Sequence, residues 1–258
     1  MNWKTISLIQ MGVIGTMLAS TISALITLPL NCIATGPDGR NLCWQDVQIS
    51  SNSSFDLTHW KLQIPGPKDI IPIGSYTSKY FYYGDSGEMV FWVDSSETGT
   101  TANSSYVRSE LREMLDPKDK TKNWTLKGTH ILMADLEVKT NTPQVTVLQI
   151  HGIGPNGESV KPLLRLAVMD GDLYAWLKLD KNGDHTDKIK LASKVGRFSI
   201  EIKVVDYKLT VKINGKVELD KNVKYWTHHN YFKAGNYPQA TKGISEAKFY
   251  KLEIKHIP

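Results

Sequence analysis

The sequence predicts an all-β fold: a β-jelly roll sandwich of two antiparallel sheets with a concave cleft across one of them. Three observations predict it. From Phe55 to Pro258 the chain runs in short stretches whose apolar residues alternate with polar ones, the period-two pattern of half-buried strands. The pairs Asn156-Gly157, Asp170-Gly171, Asn182-Gly183 and Asn214-Gly215 fall between those stretches, where hairpins turn. No segment keeps an apolar stripe at helical spacing for three turns. Many short strands at regular turn spacing are the mark of a sandwich or jelly roll.

Taken in order, Met89–Val93 is a compact apolar strand. Arg108–Arg112 alternates charge with Ser and Leu. The charged stretch Asp116–Lys122 forms a loop or a single helical turn. Ile131–Lys139 places Leu132, Ala134, Leu136 and Val138 on one face, and Val145–His151 follows Pro143. Leu163–Met169 and Leu173–Leu179 flank the Asp170-Gly171 turn. Phe198–Val204 alternates Phe, Ile, Ile and Val with Ser, Glu and Lys; Leu209–Ile213 does the same, Tyr231–Gln239 follows, and Phe249–Ile257 closes the chain. Asp180–Asp187 lacks the late bidentate Glu of a calcium loop, so a hairpin turn is expected there. His228-His229 reads as loop polarity, because neighbours on a strand face opposite ways.

The 258 residues fit one large β domain. Residues 1–37 carry one charge, Lys4, and Ile6–Leu30 is apolar apart from Ser, Thr, Gln and Gly. Residues 1–34 are therefore expected to be a secretory signal peptide cleaved near Ala34, or else a retained N-terminal membrane anchor. Residues 35–54 are a polar linker or entry segment, and 55–258 the globular domain. A secreted, monomeric protein is expected, with no membrane partner unless the leader is kept. The two cysteines, Cys32 and Cys43, close a small loop if both survive processing, and two cannot build a thiolate zinc site. Sequons begin at Asn52, Asn103 and Asn123.

Lys and Arg number 31 against 26 Asp and Glu, a formal charge of +5. That balance permits an acidic partner. The cations are scattered along strand-like segments without a basic run or a nucleic-acid motif, so nucleic acid is not expected.

Three separated segments break the rule that one strand face is apolar: Arg108-Ser109-Glu110-Leu111-Arg112, Gln149-Ile150-His151, and Tyr231 to Gln239. At period two, Arg108, Glu110 and Arg112 share a face, as do Gln149 and His151, and Tyr231, Lys233 and Tyr237. Such a face makes a poor core. It suits the wall of a groove for an anionic, hydroxyl-rich polymer.

These three segments resemble the signature blocks of polysaccharide lyase family 7, the alginate lyases. Phe55-Asp56-Leu57-Thr58-His59-Trp60-Lys61-Leu62-Gln63-Ile64-Pro65 is similar to the opening of that family's catalytic domain. The blocks come in the family's order across residues 55–240 or so. The resemblance implies a jelly roll with a cleft, and cleavage of alginate, a polymer of mannuronate and guluronate, by β-elimination. It implies Arg108, Gln149, His151 and Tyr237 as the catalytic set.

The residue chemistry agrees. Elimination needs a neutralised uronate carboxylate, a base for the C5 proton and an acid for the departing O4. Arg108 offers a planar fork of donors to the carboxylate, and Gln149 adds an amide donor. His151 is a base suited to neutral pH. Tyr237 can protonate O4, or take the C5 proton where the epimer presents it on that side. Lys233, Arg112, Tyr231 and Gln239 are expected to bind neighbouring units, and Glu110 to orient an Arg. No metal and no cofactor are called for. Ile150 matches the family variant linked with guluronate-containing substrates. Endo or exo action stays open. A non-catalytic carbohydrate-binding module on the same sandwich is the competing class. A lyase for another polyuronate stays open within the enzyme class. A glycoside hydrolase would need paired carboxylates that no strand here provides.

Overall fold

The computed structural model describes the backbone of residues 31–35 and 41–44, and residues 55–66, 69–97 and 106–258 in full. The apolar leader and the sequons at Asn52 and Asn103 lie outside the described residues. A first hairpin pairs β1 (Asn31–Thr35) with β2 (Asn41–Trp44) and sets position 32 opposite position 43.

The remaining strands are β3 (Trp60–Gln63), β4 (Phe81–Tyr83), β5 (Met89–Asp94), β6 (Ser109–Glu113), β7 (Thr129–Thr140), β8 (Gln144–Ile153) and β9 (Ser159–Met169). They continue with β10 (Asp172–Lys178), β11 (Thr186–Ala192), β12 (Phe198–Val205), β13 (Lys208–Ile213), β14 (Lys216–Asn222), β15 (His229–Pro238) and β16 (Ile244–Ile257). No helix occurs among the described residues. Residues 116–122 form turns rather than a helix, with Asp116 and Asp119 capping the backbone N–H groups of Lys118 and Thr121.

Two antiparallel sheets of seven strands face each other. One runs β11-β10-β9-β8-β15-β6-β3, the other β14-β13-β12-β7-β16-β5-β4. The alternation predicts which side chains lie between them. Leu111, Leu148, Ile150, Leu164, Leu166 and Phe232 come from the first sheet. Leu132, Leu136, Phe91, Phe249, Ile202 and Val211 come from the second, all of them fully buried. At about 1.5–3 kcal/mol for each large side chain withdrawn from water, this layer is the main favourable term holding the sheets together. Asp170 (φ 52°) with Gly171 (φ 79°), and Asn214 (φ 50°) with Gly215 (φ 80°), take the left-handed conformations that a two-residue hairpin matched to strand twist requires.

One irregularity bears on function. β15 shifts register against β8 between Ala234 and Tyr237. Gly235 sits there at φ 149°, and a Cβ on it would lie 2.5 Å from the Ser109 carbonyl oxygen, so only glycine fits. Beside it Asn236 turns inward and donates through Nδ2 to the carbonyls of Phe91 (2.9 Å) and Ser245 (2.8 Å) of the opposite sheet. The strand segment that delivers Tyr237 is thereby fixed to both layers.

Candidate active site

The outer face of the first sheet carries the polar residues that the alternation singles out. Register brings them side by side. Arg112 on β6 pairs with Lys61 on β3 and Lys233 on β15; Lys233 pairs with Gln149 on β8; Tyr231 pairs with His151. Arg108 immediately precedes β6 and is buried, as are Arg112, Gln149, Tyr231 and Lys233.

Glu110 lies at the centre and is wholly inaccessible. Arg108 Nη1 donates to its Oε2 at 3.0 Å, Lys233 Nζ lies 2.5 Å from the same oxygen, and Gln149 Nε2 donates to Oε1 at 2.5 Å. Burial works to raise the Glu110 pKa, but Lys233 and Arg108 prevail and hold it below the ordinary carboxylate range. Glu110 has no surface with which to touch a substrate, and it sets the directions of three side chains that do bear donors.

His151 lies flat against Tyr231, ring centroids 5.1 Å apart and planes 10° apart. Its Nδ1 is 3.0 Å from the Gly152 carbonyl oxygen. A carbonyl only accepts, so Nδ1 carries the proton and Nε2 holds the lone pair. Burial, with Lys233 and Arg108 nearby, pushes the imidazole pKa down to about 4, against the opposing pull of the Gly152 bond and Glu110. The ring is a neutral base throughout the neutral range. Lys233, also desolvated, is pushed down to about 8, with Glu110 resisting the shift.

Tyr237 receives the Arg108 guanidinium over its ring at 3.8 Å and meets Tyr106 edge-on at 6.4 Å. Arg108, Gln149, His151 and Tyr237 thus converge with Lys233 and Tyr231 on one face, around Glu110. Arg112 is placed differently from the expectation of a free carboxylate receptor. Its donors go to the carbonyls of Glu113 (2.7 Å) and Lys120 (2.9 Å) and to Asn123 Oδ1 (3.0 Å), and its guanidinium underlies the Tyr231 ring at 4.1 Å. It ties the 116–123 loop to the sheet. Gln239 lies further along, accepting from Arg165 Nη1 at 3.0 Å.

Sequence reasoning missed two groups. The first backs the site from the core side. Glu113, on β6 but facing inward, accepts from the Phe232 backbone N–H (2.7 Å) and Trp124 Nε1 (2.9 Å), and meets His256 Nε2 at 2.5 Å. His256 Nδ1 lies 2.7 Å from His130 Nδ1, and His130 Nε2 donates to the Lys127 carbonyl at 2.7 Å. This chain holds the backbone of β15 between Tyr231 and Lys233. The second is Arg165, a charge inside the apolar run Leu163–Val168, which pairs with Gln149 in register.

A cavity of about 630 Å3 opens past His151 at the end of β8, lined in part by Ile153, Asn156, Lys181 and His228. His228 precedes β15 and meets the Lys181 carbonyl at 2.9 Å and Trp226 edge-on, whereas His229, also expected in a loop, is the first residue of β15 and pairs with Ile153. Among the described residues no cluster of His, Cys, Asp and Glu has the makings of a metal site.

Comparison with known proteins adds to this geometry. A family model described as alginate lyase matches residues 55–256. An alginate lyase of Photobacterium sp. is 38% identical over 154 residues, which cover 48% of this chain and 53% of that protein. One of Klebsiella pneumoniae is 33% identical over 93 residues, 29% of this chain and 30% of that protein. The matched stretches thus span about half, or less, of these curated relatives. Among solved structures, the alginate lyase A1-II', a member of polysaccharide lyase family 7, superposes with a TM-score of 0.71 at 36% identity, over 78% of this chain and 96% of that one. An alginate lyase of Pseudomonas aeruginosa superposes with a TM-score of 0.69 at 27% identity, over 79% of this chain and all of that one.

Proposed function

The chain belongs to the alginate lyase family, polysaccharide lyase family 7, and from that premise we propose that it is a secreted lyase that depolymerises alginate by β-elimination. The observation that carries this reading is the gathering of Arg108, Gln149 and Lys233 on buried Glu110, beside a histidine whose tautomer leaves Nε2 as a base.

In this reading a uronate carboxylate docks against the donors that Glu110 holds in place. Their charge lets negative charge build on the carboxylate as the C5 proton leaves. His151 Nε2 takes that proton, the C4–O4 bond breaks, a double bond forms between C4 and C5, and the Tyr237 hydroxyl protonates O4. Protons balance: one goes to the imidazole and one leaves the phenol, and the two groups reset through solvent. Mannuronate and guluronate are epimers at C5, so one of them presents its proton away from His151, where the Tyr237 oxygen serves as base. Ile150 is buried in the core behind the site, so any preference for guluronate-containing blocks linked to it acts through the placement of Gln149 and His151.

Ultraviolet absorbance tests the proposal. Purified protein is given polymannuronate and polyguluronate separately; elimination creates a conjugated double bond and hydrolysis does not. Rising absorbance with either polymer is the expected outcome. A folded protein that binds alginate and produces no chromophore would instead be a binding module.

A further inference from the structure

Arg112 lies on the outer face of β6, yet its donors are taken up by the chain itself. Nη1 donates to the Glu113 carbonyl at 2.7 Å and lies 2.9 Å from Met114 Sδ. Nη2 donates to the Lys120 carbonyl at 2.9 Å and to Asn123 Oδ1 at 3.0 Å. Both hydrogens of each terminal nitrogen are thereby engaged. The acceptors of Nη2 belong to the 116–123 turn, which braces itself. Lys122 pairs with Asp116 at 2.7 Å, and Asn123 Nδ2 donates to the Thr121 carbonyl at 2.8 Å. What the guanidinium does present is its flat face, 4.1 Å from the centre of the Tyr231 ring.

β15 lies between β6 and β8. Arg112 therefore reaches the Tyr231 ring from the β6 side. His151, the direct cross-strand partner of Tyr231, stacks on it from the β8 side. The end of the same turn grips β15 one residue before Tyr231: Trp124 and Asn230 exchange backbone hydrogen bonds of 3.0 and 2.7 Å. The imidazole needs such a wall, because the torsion that turns its plane is soft and broad. The Nδ1 bond to the Gly152 carbonyl fixes one direction, and the stack at 10° fixes the plane.

We propose that Arg112 and Asn123 are positioning residues for the base: the 116–123 turn sets the guanidinium, the guanidinium sets the Tyr231 ring, and the ring holds the His151 imidazole with Nε2 directed at the C5 proton. The inference rests on the lyase reading of the central site. A guanidinium suits this task and an ammonium does not, since only a planar fork can lie flat on a ring while its edge meets acceptors on two sides. The cation on the Tyr231 face also adds attraction to the stack. A base held in near-attack geometry owes its rate to placement, and a displacement of about 1 Å can cost about 10²-fold. Asn123 stands 11 residues beyond Arg112, outside the three polar strand segments, so no strand pattern marks it.

Two variants and two homopolymers test this. Arg112→Lys keeps the positive charge and loses the planar fork. Asn123→Ala, in a half-exposed turn, removes one acceptor and leaves every strand residue in place. Each should lower kcat with KM unchanged, Arg112→Lys by about 10²-fold and Asn123→Ala by less. The loss should be greater on whichever of polymannuronate and polyguluronate His151→Ala damages more. A raised KM at unchanged kcat would make Arg112 a carboxylate receptor and overturns the proposal. So does an unchanged kcat, or an equal loss on two polymers that His151→Ala separates, which is the mark of a merely structural role. Proton NMR reads the coupling without turnover, with the His151 resonances identified by their loss in His151→Ala. The Tyr231 ring current displaces those resonances, so both variants should shift them, and unmoved resonances overturn the proposal. Should the wild-type protein eliminate neither polymer, the lyase reading fails by itself. The NMR shifts then decide alone whether the turn positions His151: shifted resonances uphold it and unmoved ones overturn it.

Discussion

Lys233 Nζ lies 2.5 Å from the Glu110 carboxylate, and both side chains are closed off from water. A buried ion pair owes its place to its partners, since removing one charge strands the other in low dielectric. Glu110→Gln keeps the shape and removes the charge, taking from Lys233 and Arg108 the carboxylate that they share. The variant should lose about 3–5 kcal/mol of stability, read as a lower urea midpoint at unchanged slope. A midpoint equal to that of the wild type would mean that the three donors do not depend on Glu110.

The pH profile follows from the two shifted groups. His151, pushed down to about 4, is in its base form above that value, so kcat/KM should hold as pH falls through 6.5 and decline only near 4 to 5. An acid limb centred at the ordinary histidine value would take the base role from His151. At the other end, Lys233 loses its charge above about 8, and KM for an anionic polymer should rise there. The stability linkage runs the other way. Between about 8 and the ordinary 10.5 the unfolded chain holds the Lys233 proton and the folded chain does not. This group's contribution to stability therefore increases with pH across that window.

The core-side chain behind β15 makes a separate prediction. Three hydrogen bonds link Lys127, His130, His256 and Glu113, and they need three protons. His256→Ala removes the partner of Glu113 Oε1 and leaves a buried carboxylate with donors on one oxygen only. The expected loss is about 3 kcal/mol, which for a chain of this size lowers Tm by about 6–12 °C. Differential scanning calorimetry measures it. A fall of a degree or less would show that Glu113 is adequately held by Trp124 and Phe232.

What the sequence disclosed follows a physical line. Strands whose two faces differ, such as β7, β10 and β12, were legible because burial writes a period of two into them. β11 and β14 were not: both lie at sheet edges, where β14 keeps no alternation of burial and the inner phase of β11 opens with Asp187, so that only Ile189 and Leu191 carry an apolar signal. The polar faces of β6, β8 and β15 were legible for the converse reason, that a core cannot use Arg, Gln and His. The pairing of Arg165 with Gln149 was not legible, because it depends on register between strands, including shifts in β8 on either side of Gln149. Glu113 was hidden because β6 is buried on both faces, so an inward carboxylate looks like one more polar residue in a polar strand.

The last prediction separates the two proton-handling side chains. Tyr237→Phe keeps the ring under Arg108, a contact that needs only the π face, and removes the hydroxyl. Its loss should fall on kcat, by about 10²-fold or more, with KM little changed, the signature of a contact made in the transition state. His151→Ala should do the same on polymers whose C5 proton faces its Nε2. Because mannuronate and guluronate present that proton on opposite sides, the two variants should differ in their ratio of rates. His151→Ala should damage one polymer far more than the other, while Tyr237→Phe should damage both, as acid in one case and as base and acid in the other. Initial rates of absorbance increase on the two homopolymers, measured for both variants, give the four numbers required. Equal damage to both polymers by His151→Ala would place the base for both epimers on the same side of the sugar and return Tyr237 to the role of acid alone.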